Sequence, residues 1–447
     1  MIAKKTRSRF AVPLALTLCV ALAGCGVLGG KPKPATPTVG NRVPILSRIE
    51  SGARVDPALA AIAVVLPPPA LNADWAQAGG TASKAYGHPE LAAAPQRLWN
   101  ASIAGSSNTR RLAASPVVGS GKLFAFDTAG ILHAFDAASG APAWTASFAI
   151  SGDGSSSVFG GGASYADGKV YVTTGTGEVA AVDANTGSQL WKVKPAGPLR
   201  GSPTIAFNAL FVMTMDNQIL SLNLADGASL WNQSASAGQS GVFGVAAPAA
   251  GQGSLVAGFS TGELITYRYE NGRQLWSDAL ARTSISTQVG ILTDIDADPI
   301  IDRGRVLALG QGGRMAAYEL LSGQRIWELN VAGISTPAVA GDWIFALSDE
   351  GMLLCIARGT GHVRWLTQLA RYGNEAKKKD PIFWTGPLLA GNRLWFANSR
   401  GDTYSADVTD GTVTPFVKLN QGVTLSPVVA NGVLYILDDA GQISAYR

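Results

Sequence analysis

The sequence predicts an all-β fold: an eight-bladed β-propeller closed by pairing of an N-terminal strand with the C-terminal three strands. Three observations predict it. A unit of constant internal spacing recurs along the chain. Within each unit, apolar residues alternate with period two between glycine turns. The last unit lacks a strand, which a stretch ahead of the first unit can supply. Alternation with period two marks half-buried strands, and strand-bearing repeats at this interval build propellers or solenoids.

The unit is plainest in SPVVGSGKLFAFDTAGILHAFDAASGAPAW, from Ser115 to Trp144. Leading prolines stand at Pro116, Pro203, Pro248, Pro299, Pro337, Pro387 and Pro427, with Ala163 in the remaining slot. Fourteen residues after each comes a turn residue: Gly130, Gly177, Asn217, Gly262, Gly313, Gly351, Gly401 and Gly441. Ten residues further lie Gly140, Gly187, Gly227, Gly272, Gly323, Gly361 and Gly411. Four beyond those are Trp144, Trp191, Trp231, Trp276, Trp327 and Trp365, with Pro415 in the seventh position. Glycine or asparagine supplies the positive φ of tight hairpins. Proline is tolerated where a strand begins, because no N–H is needed there. Each Trp is expected to cover the seam between neighbouring sheets, an apolar area that one unit cannot bury alone.

The unit that opens at Ser426-Pro427 reaches Arg447 after three strands and carries no Trp, whereas Pro95-Gln96-Arg97-Leu98-Trp99 matches the end of a unit. Seven complete units and one shared unit make eight blades. Closure of this kind removes the sheet edges that invite aggregation. A solenoid would need capping units at both ends.

Residues 1–24 read as a signal peptide. Lys4, Lys5, Arg7 and Arg9 precede an apolar run from Phe10 to Ala23, of the length of a signal core and too short to span a membrane stably. The run ends in Leu22-Ala23-Gly24-Cys25, which resembles the lipobox of bacterial lipoproteins. That resemblance implies acylation of Cys25, and several acyl chains anchor firmly. Residue 26 is Gly rather than the Asp that often retains such proteins at the inner membrane, which points to the periplasmic face of the outer membrane. Residues 25–72 are expected to form a tether, because Lys31-Pro32-Lys33-Pro34-Ala35-Thr36-Pro37 can neither continue a helix nor complete a strand ladder. For the Ala- and Val-rich piece 57–66, docking on the domain and a short helix both remain open. The propeller then occupies residues 73–447.

The whole chain carries a formal charge of +4, and removing the four basic residues of the signal leaves a neutral mature protein with no footprint for nucleic acid. Cys355 stands alone in an apolar stretch, so no disulfide framework is expected. Gly258-Phe259-Ser260-Thr261-Gly262 has the spacing of a nucleophile elbow, but it falls on a repeat hairpin with no helix after it. His88, His133 and His362 are the three histidines, and none is placed to complete a triad. Asp294-Ile295-Asp296-Ala297-Asp298 has the look of a calcium loop, yet Pro299 stands where glycine is needed and Arg305 where the bidentate Glu belongs. Neither a catalytic residue nor a metal site is expected.

The pattern Ser-Pro…Gly…Asp-x-x-Ser/Thr-Gly-x-x-x-Trp resembles the repeat of quinoprotein (PQQ-type) propellers, and Asp74-Trp75-x-Gln77-x-Gly79-Gly80 resembles their lead-in segment. That repeat serves both quinone-dependent dehydrogenases and cofactor-free binding proteins. A lipobox and tether ahead of such a propeller resemble the BamB family, lipoprotein subunits of the outer-membrane β-barrel assembly machine. The dehydrogenases carry adjacent cysteines beside the quinone, and no such pair or Cys-x-x-Cys-His haem motif occurs here. The resemblance therefore implies a non-catalytic subunit without cofactor, binding BamA and other subunits of the machine. A PQQ-dependent periplasmic dehydrogenase and a generic periplasmic scaffold are the alternatives.

All length variation falls between a Trp and the next leading Pro, and variable loops on a rigid scaffold are where binding resides. The longest link runs from Trp276 to Pro299. In it Leu292-Thr293-Asp294-Ile295-Asp296 resembles the acidic partner-binding stretch of BamB, which marks Asp294 and Asp296. The preceding link holds Gly241-Val242-Phe243-Gly244, aligned with a second contact loop. There Val242 and Phe243 replace the family's Leu and Arg, so the contact is either more apolar or made by a different loop. A third link carries Arg371-Tyr372, Lys377-Lys378-Lys379 and Phe383-Trp384; a lysine run of this kind is usually solvated surface.

Overall fold

The computed structural model describes residues 53–148, 159–236, 246–280 and 293–447; Cys25, Val242 and Phe243 lie outside them. Eight four-stranded antiparallel sheets form the ring. In the first, Val117–Gly119, Lys122–Phe126, Ile131–Asp136 and Pro142–Ser147 follow one another from hub to rim. The three inner strands are largely buried, and the rim strand is mostly exposed. That gradient explains the apolar runs of the middle strands and the polar alternation of the fourth.

The predicted closure is present. Arg97–Ser102 joins Val428–Ala430, Val433–Leu437 and Gln442–Tyr446 as the fourth strand of one sheet, with Asn100 opposite Ser444 and Ala101 opposite Ile443. Gln96 and Arg447 extend the pairing through two backbone hydrogen bonds of 2.6 and 2.8 Å.

Repeat Trp and repeat Gly turn out to be two halves of one contact. The indole Nε1 of Trp99, Trp144, Trp191, Trp231, Trp276, Trp327 and Trp365 donates to the carbonyl of Ala137, Ala184, Leu224, Tyr269, Leu320, Arg358 and Val408 respectively, at 2.7–3.1 Å. Each acceptor lies in the outer hairpin of the next blade, three residues before that hairpin's glycine. A methyl group on Gly140, Gly187, Gly227, Gly272, Gly323, Gly361 or Gly411 would stand 2.5–2.8 Å from the atoms of the preceding indole. These glycines are thus required twice, for positive φ and for room. Burying most of an indole is worth about 5 kcal/mol as an upper figure.

Two prolines depart from the expected pattern. Pro387 lies inside Trp384–Ala390 rather than at a strand start, and the register shifts around it because it has no N–H to give. Pro415 displaces the usual bulge, so that Phe416 faces the seam and meets Trp395 and Tyr446 edge-on at 5.0 and 5.1 Å.

The N-terminal side holds more structure than a tether. Residues 53–72, the end of the expected tether in which docking of 57–66 is an open reading, lie along the ring. Asp56 N donates to Val363 O, Arg364 Nε donates to Ile62 O, and Val64 and Leu66 pack on the core between two blades. Asp56 caps the single turn Pro57–Leu59. Val64 and Leu66 gain more by docking than by remaining in water, whereas Val65, 71% exposed, stays outside.

The segment from Asn72 onward crosses the hub. Trp75 exchanges two backbone hydrogen bonds with Val118, Ala76 O accepts from Tyr165 N, and Gln77 pairs with the backbone of Ile205 through both its amide atoms. Ala82 O and Ser83 O accept from Ala250 N and Ile301 N, Tyr86 Oη from Leu389 N, and Asn72 O from Asn431 N. Pro67 packs near Gly341. In this way residues 67–86 together touch the inner region of every blade. Lys84, 1% exposed, fixes the turn by donating to Ala78 O and Thr204 Oγ1 at 2.9 and 3.2 Å; burial lowers its pKa to about 8, against the pull of Asp298.

Gly323→Ala should destabilise the ring by about 2–4 kcal/mol, since it adds both a clash with Trp276 and a strained φ of +72°. Trp276→Ala should cost about 3–5 kcal/mol. Because both remove one contact, the double variant should lose clearly less than the sum, as read by urea unfolding.

Candidate interaction face and central channel

The hub-crossing segment meets the blades at the ends of their innermost strands, closing that side. The links leading into those strands therefore gather at the opposite side, as the variable lengths predict. Between the two lies a central cavity of about 310 Å³, floored by Trp75, Gly79 and Tyr86 and walled by Ser115, Ser202, Asp296, Asp298, Thr336 and Ser426 among others.

The structure brings Asp294 and Asp296 together, around a residue that the sequence reading missed. Arg200 Nη2 donates to Asp294 Oδ1 at 2.8 Å and to Asp296 Oδ1 at 3.1 Å. The side chains are 1%, 1% and 9% exposed for Arg200, Asp294 and Asp296. Asp294 is thus sealed inside, with Oδ2 lacking a hydrogen-bond partner among the described residues; it is not a free surface carboxylate. Asp296 retains a solvent-facing margin. Burial, and then the charge of Asp294, raise its pKa to about 6 although Arg200 works the other way. Burial likewise raises Asp349 to about 6. The signal for Arg200 was present in the repeat: Arg200 and Asp296 each stand three residues before their leading proline, and equivalent slots of a ring converge on its axis.

Asp298 accepts from Ala247 N at 2.7 Å. That bond ties the start of the Asp294 blade to the end of the link that carries Val242 and Phe243, so the two candidate loops approach each other at their bases. The third link folds as a small hairpin, Tyr372–Asn374 against Lys379–Pro381, with Phe383 65% exposed beside it.

Other sequence candidates have structural duties. Ser260 Oγ donates to Asn217 Oδ1 of the neighbouring blade, His133 pairs with Asp127 at 2.8 Å, and His88 joins Pro67 O to Asn392 N. Cys355 is fully buried, which raises its thiol pKa far above the usual range.

The channel does not suit PQQ. That quinone is a tricarboxylate and calls for cationic partners, whereas among the described residues the ionisable ones of the lining are Asp296, Asp298 and Tyr86, with no Lys or Arg. Like charges at such a site disfavour binding.

Arg200→Ala should cost about 3–5 kcal/mol, because it leaves two buried carboxylates without their cation. A carboxyl whose folded pKa is raised is a liability at neutral pH, relieved as pH falls through about 6 toward the unfolded value near 4. The protein should therefore gain on the order of 2–3 kcal/mol from Asp296 between pH 7 and pH 4. In Asp296→Asn that part of the pH profile should flatten, as chemical denaturation across the range would show.

The sequence profile of the family described as "Outer membrane protein assembly factor BamB" matches residues 128–367, more than half of the chain. The BamB of Escherichia coli K12 is 25% identical over 354 residues, covering 78% of this chain and 88% of that protein. The BamB of Salmonella typhimurium is 26% identical over 356 residues, again covering 78% and 88%. Both relatives are named as assembly factors and not as enzymes. Among solved structures, BamB from Moraxella catarrhalis superposes with a TM-score of 0.65 at 17% identity, covering 79% of this chain and 99% of that one. The quinohemoprotein alcohol dehydrogenase of Comamonas testosteroni gives 0.66 at 13% identity, covering 88% and 82%, so the ring itself is common to both classes. Repeat, closure and profile agree: the chain belongs to the outer membrane protein assembly factor BamB family.

Proposed function

We propose that this protein is a non-catalytic subunit of its host's β-barrel assembly machine, held at the periplasmic face of the outer membrane by acyl chains on Cys25 and docked on BamA through the link-bearing face of the ring. The family match carries this reading, and the physical arrangement supports it. One side of the ring is closed by the hub-crossing segment, while the other presents loops of unequal length on a rigid frame, the usual division between scaffold and binding surface.

On this face Asp296 offers the outer margin of a carboxylate, Ile334 is 46% exposed, and Asp298 holds Ala247, which in sequence ends the link carrying Val242 and Phe243. An apolar centre with a charged rim is the common composition of a protein interface. Asp294 contributes by holding Arg200 and through it the orientation of Asp296, rather than by touching the partner.

The test is capture of BamA by the native lipoprotein. Asp296→Arg combined with Ile334→Arg should reduce co-purified BamA at least tenfold. Leu190→Arg, on an exposed rim strand, should leave it unchanged. Undiminished capture by the first variant would remove this face from the proposal. Cys25→Ala should release the protein from the outer-membrane fraction, and retention there would refute the anchor.

A further inference from the structure

Indole latches close seven seams of the ring, and the remaining seam has none. It lies between the blade ending in Val413–Lys418 and the closing blade, where Pro415 occupies the Trp position. Phe416 fills part of the gap, and what is left is a groove of about 680 Å³ beside Pro415, Trp395, Tyr446, Arg97 and Arg393, within the size range of ligand sites.

The chemistry of this groove differs from the other seams. Half-buried Phe416 borders the groove, backed by Trp395 and Tyr446, each 2% exposed, so that three rings make its aromatic side. The Tyr446 hydroxyl is buried and has no hydrogen-bond partner among the described residues. Arg393 donates to Ser405 Oγ and Thr414 Oγ1, which hold its guanidinium at the rim, and Arg97 lies over the Tyr446 ring at 5.8 Å. Neither arginine forms an ion pair among the described residues, and no acidic side chain lines the groove. Two cations without counter-charge at an aromatic slot select a ligand that is both aromatic and anionic.

We propose that this seam binds a segment of a partner polypeptide that inserts a large aromatic side chain next to a carboxylate, making in trans the latch that tryptophan makes in cis elsewhere in the ring. The fold itself displays the shape of the occupant seven times, and the arginines define its charge. The site is on the flank of the ring, away from the link-bearing face, so it does not depend on the docking proposed above.

N-acetyl-L-tryptophan and its uncharged relative N-acetyl-L-tryptophanamide serve as probes, titrated by saturation-transfer NMR against the purified mature protein. The carboxylate probe should bind at least fivefold more tightly than the amide. Arg97→Gln with Arg393→Gln should abolish that preference. Pro415→Trp, which restores the repeat and fills the groove, should weaken both probes at least tenfold without lowering Tm. Absence of binding to the wild type, equal binding of the two probes, or unchanged binding in Pro415→Trp would each overturn the proposal; a Pro415→Trp chain that does not fold leaves the arginine pair to decide it.

Discussion

The structure depends on one repeated interaction, an indole of one blade seated on a glycine hairpin of the next with its N–H given to a backbone carbonyl there. The contact is directional as well as apolar. Area alone would let neighbouring sheets slide, whereas a hydrogen bond of 2.7–3.1 Å to a fixed carbonyl sets the same offset at each seam. Equal offsets between equal units generate a ring, and the strand Arg97–Ser102 brings the first latch, Trp99, into the last sheet. Closure and latching are therefore one event: the strand that removes the open edge also delivers the indole that grips the first complete blade.

A ring made this way has a hole, and the chain spends its non-repeating residues on it. The segment around Trp75, Gln77 and Tyr86 reaches the inner strands one after another, and its polar groups satisfy backbone atoms that the short inner strands leave without sheet partners. Lys84 is the extreme case, a buried ammonium whose donors go to a carbonyl and a hydroxyl and whose charge is balanced at longer range by Asp298. Closing one end makes the molecule two-faced, and it leaves the links as the variable surface.

Most of the ring was legible in the sequence because repetition turns long-range contacts into local spacing. The Gly, Trp and Pro slots specify hairpins, seams and strand starts, and the missing fourth strand of the unit at Pro427 discloses the closure. What stayed hidden lacks a repeat. The hub segment could be matched as a motif, but nothing in Asp74-Trp75-x-Gln77-x-Gly79-Gly80 says that it touches blade after blade. For residues 57–66 the composition allows docking or a short helix, and only the packing of Val64 and Leu66 on the ring shows which apolar partners they find. Arg200 is 94 residues from Asp294, and the pairing becomes visible only when Arg200 and Asp296 are seen to share a slot. The resemblance that marks both aspartates does not show that Asp294 is sealed against Arg200 while Asp296 keeps an outer margin. Pro415 was recognised as a lost Trp, but the sequence alone does not show that Phe416 fills only part of the space left behind.

The same ring serves enzymes and assembly factors, so the shape of the scaffold cannot separate the two roles; the sign of charge at the axis can. A site for a tricarboxylate must gather cations around a low-dielectric hub, where each uncompensated charge is expensive. Here Arg200 is already engaged by Asp294 and Asp296, and the other carboxylate of the described lining, Asp298, is turned to Ala247 N. Charge at this hub is directed inward, to bind one link to another. The same carboxylates that exclude an anionic cofactor from the channel brace the bases of the loops, so rigidity of the link-bearing face and unsuitability for quinone chemistry arise from a single set of side chains.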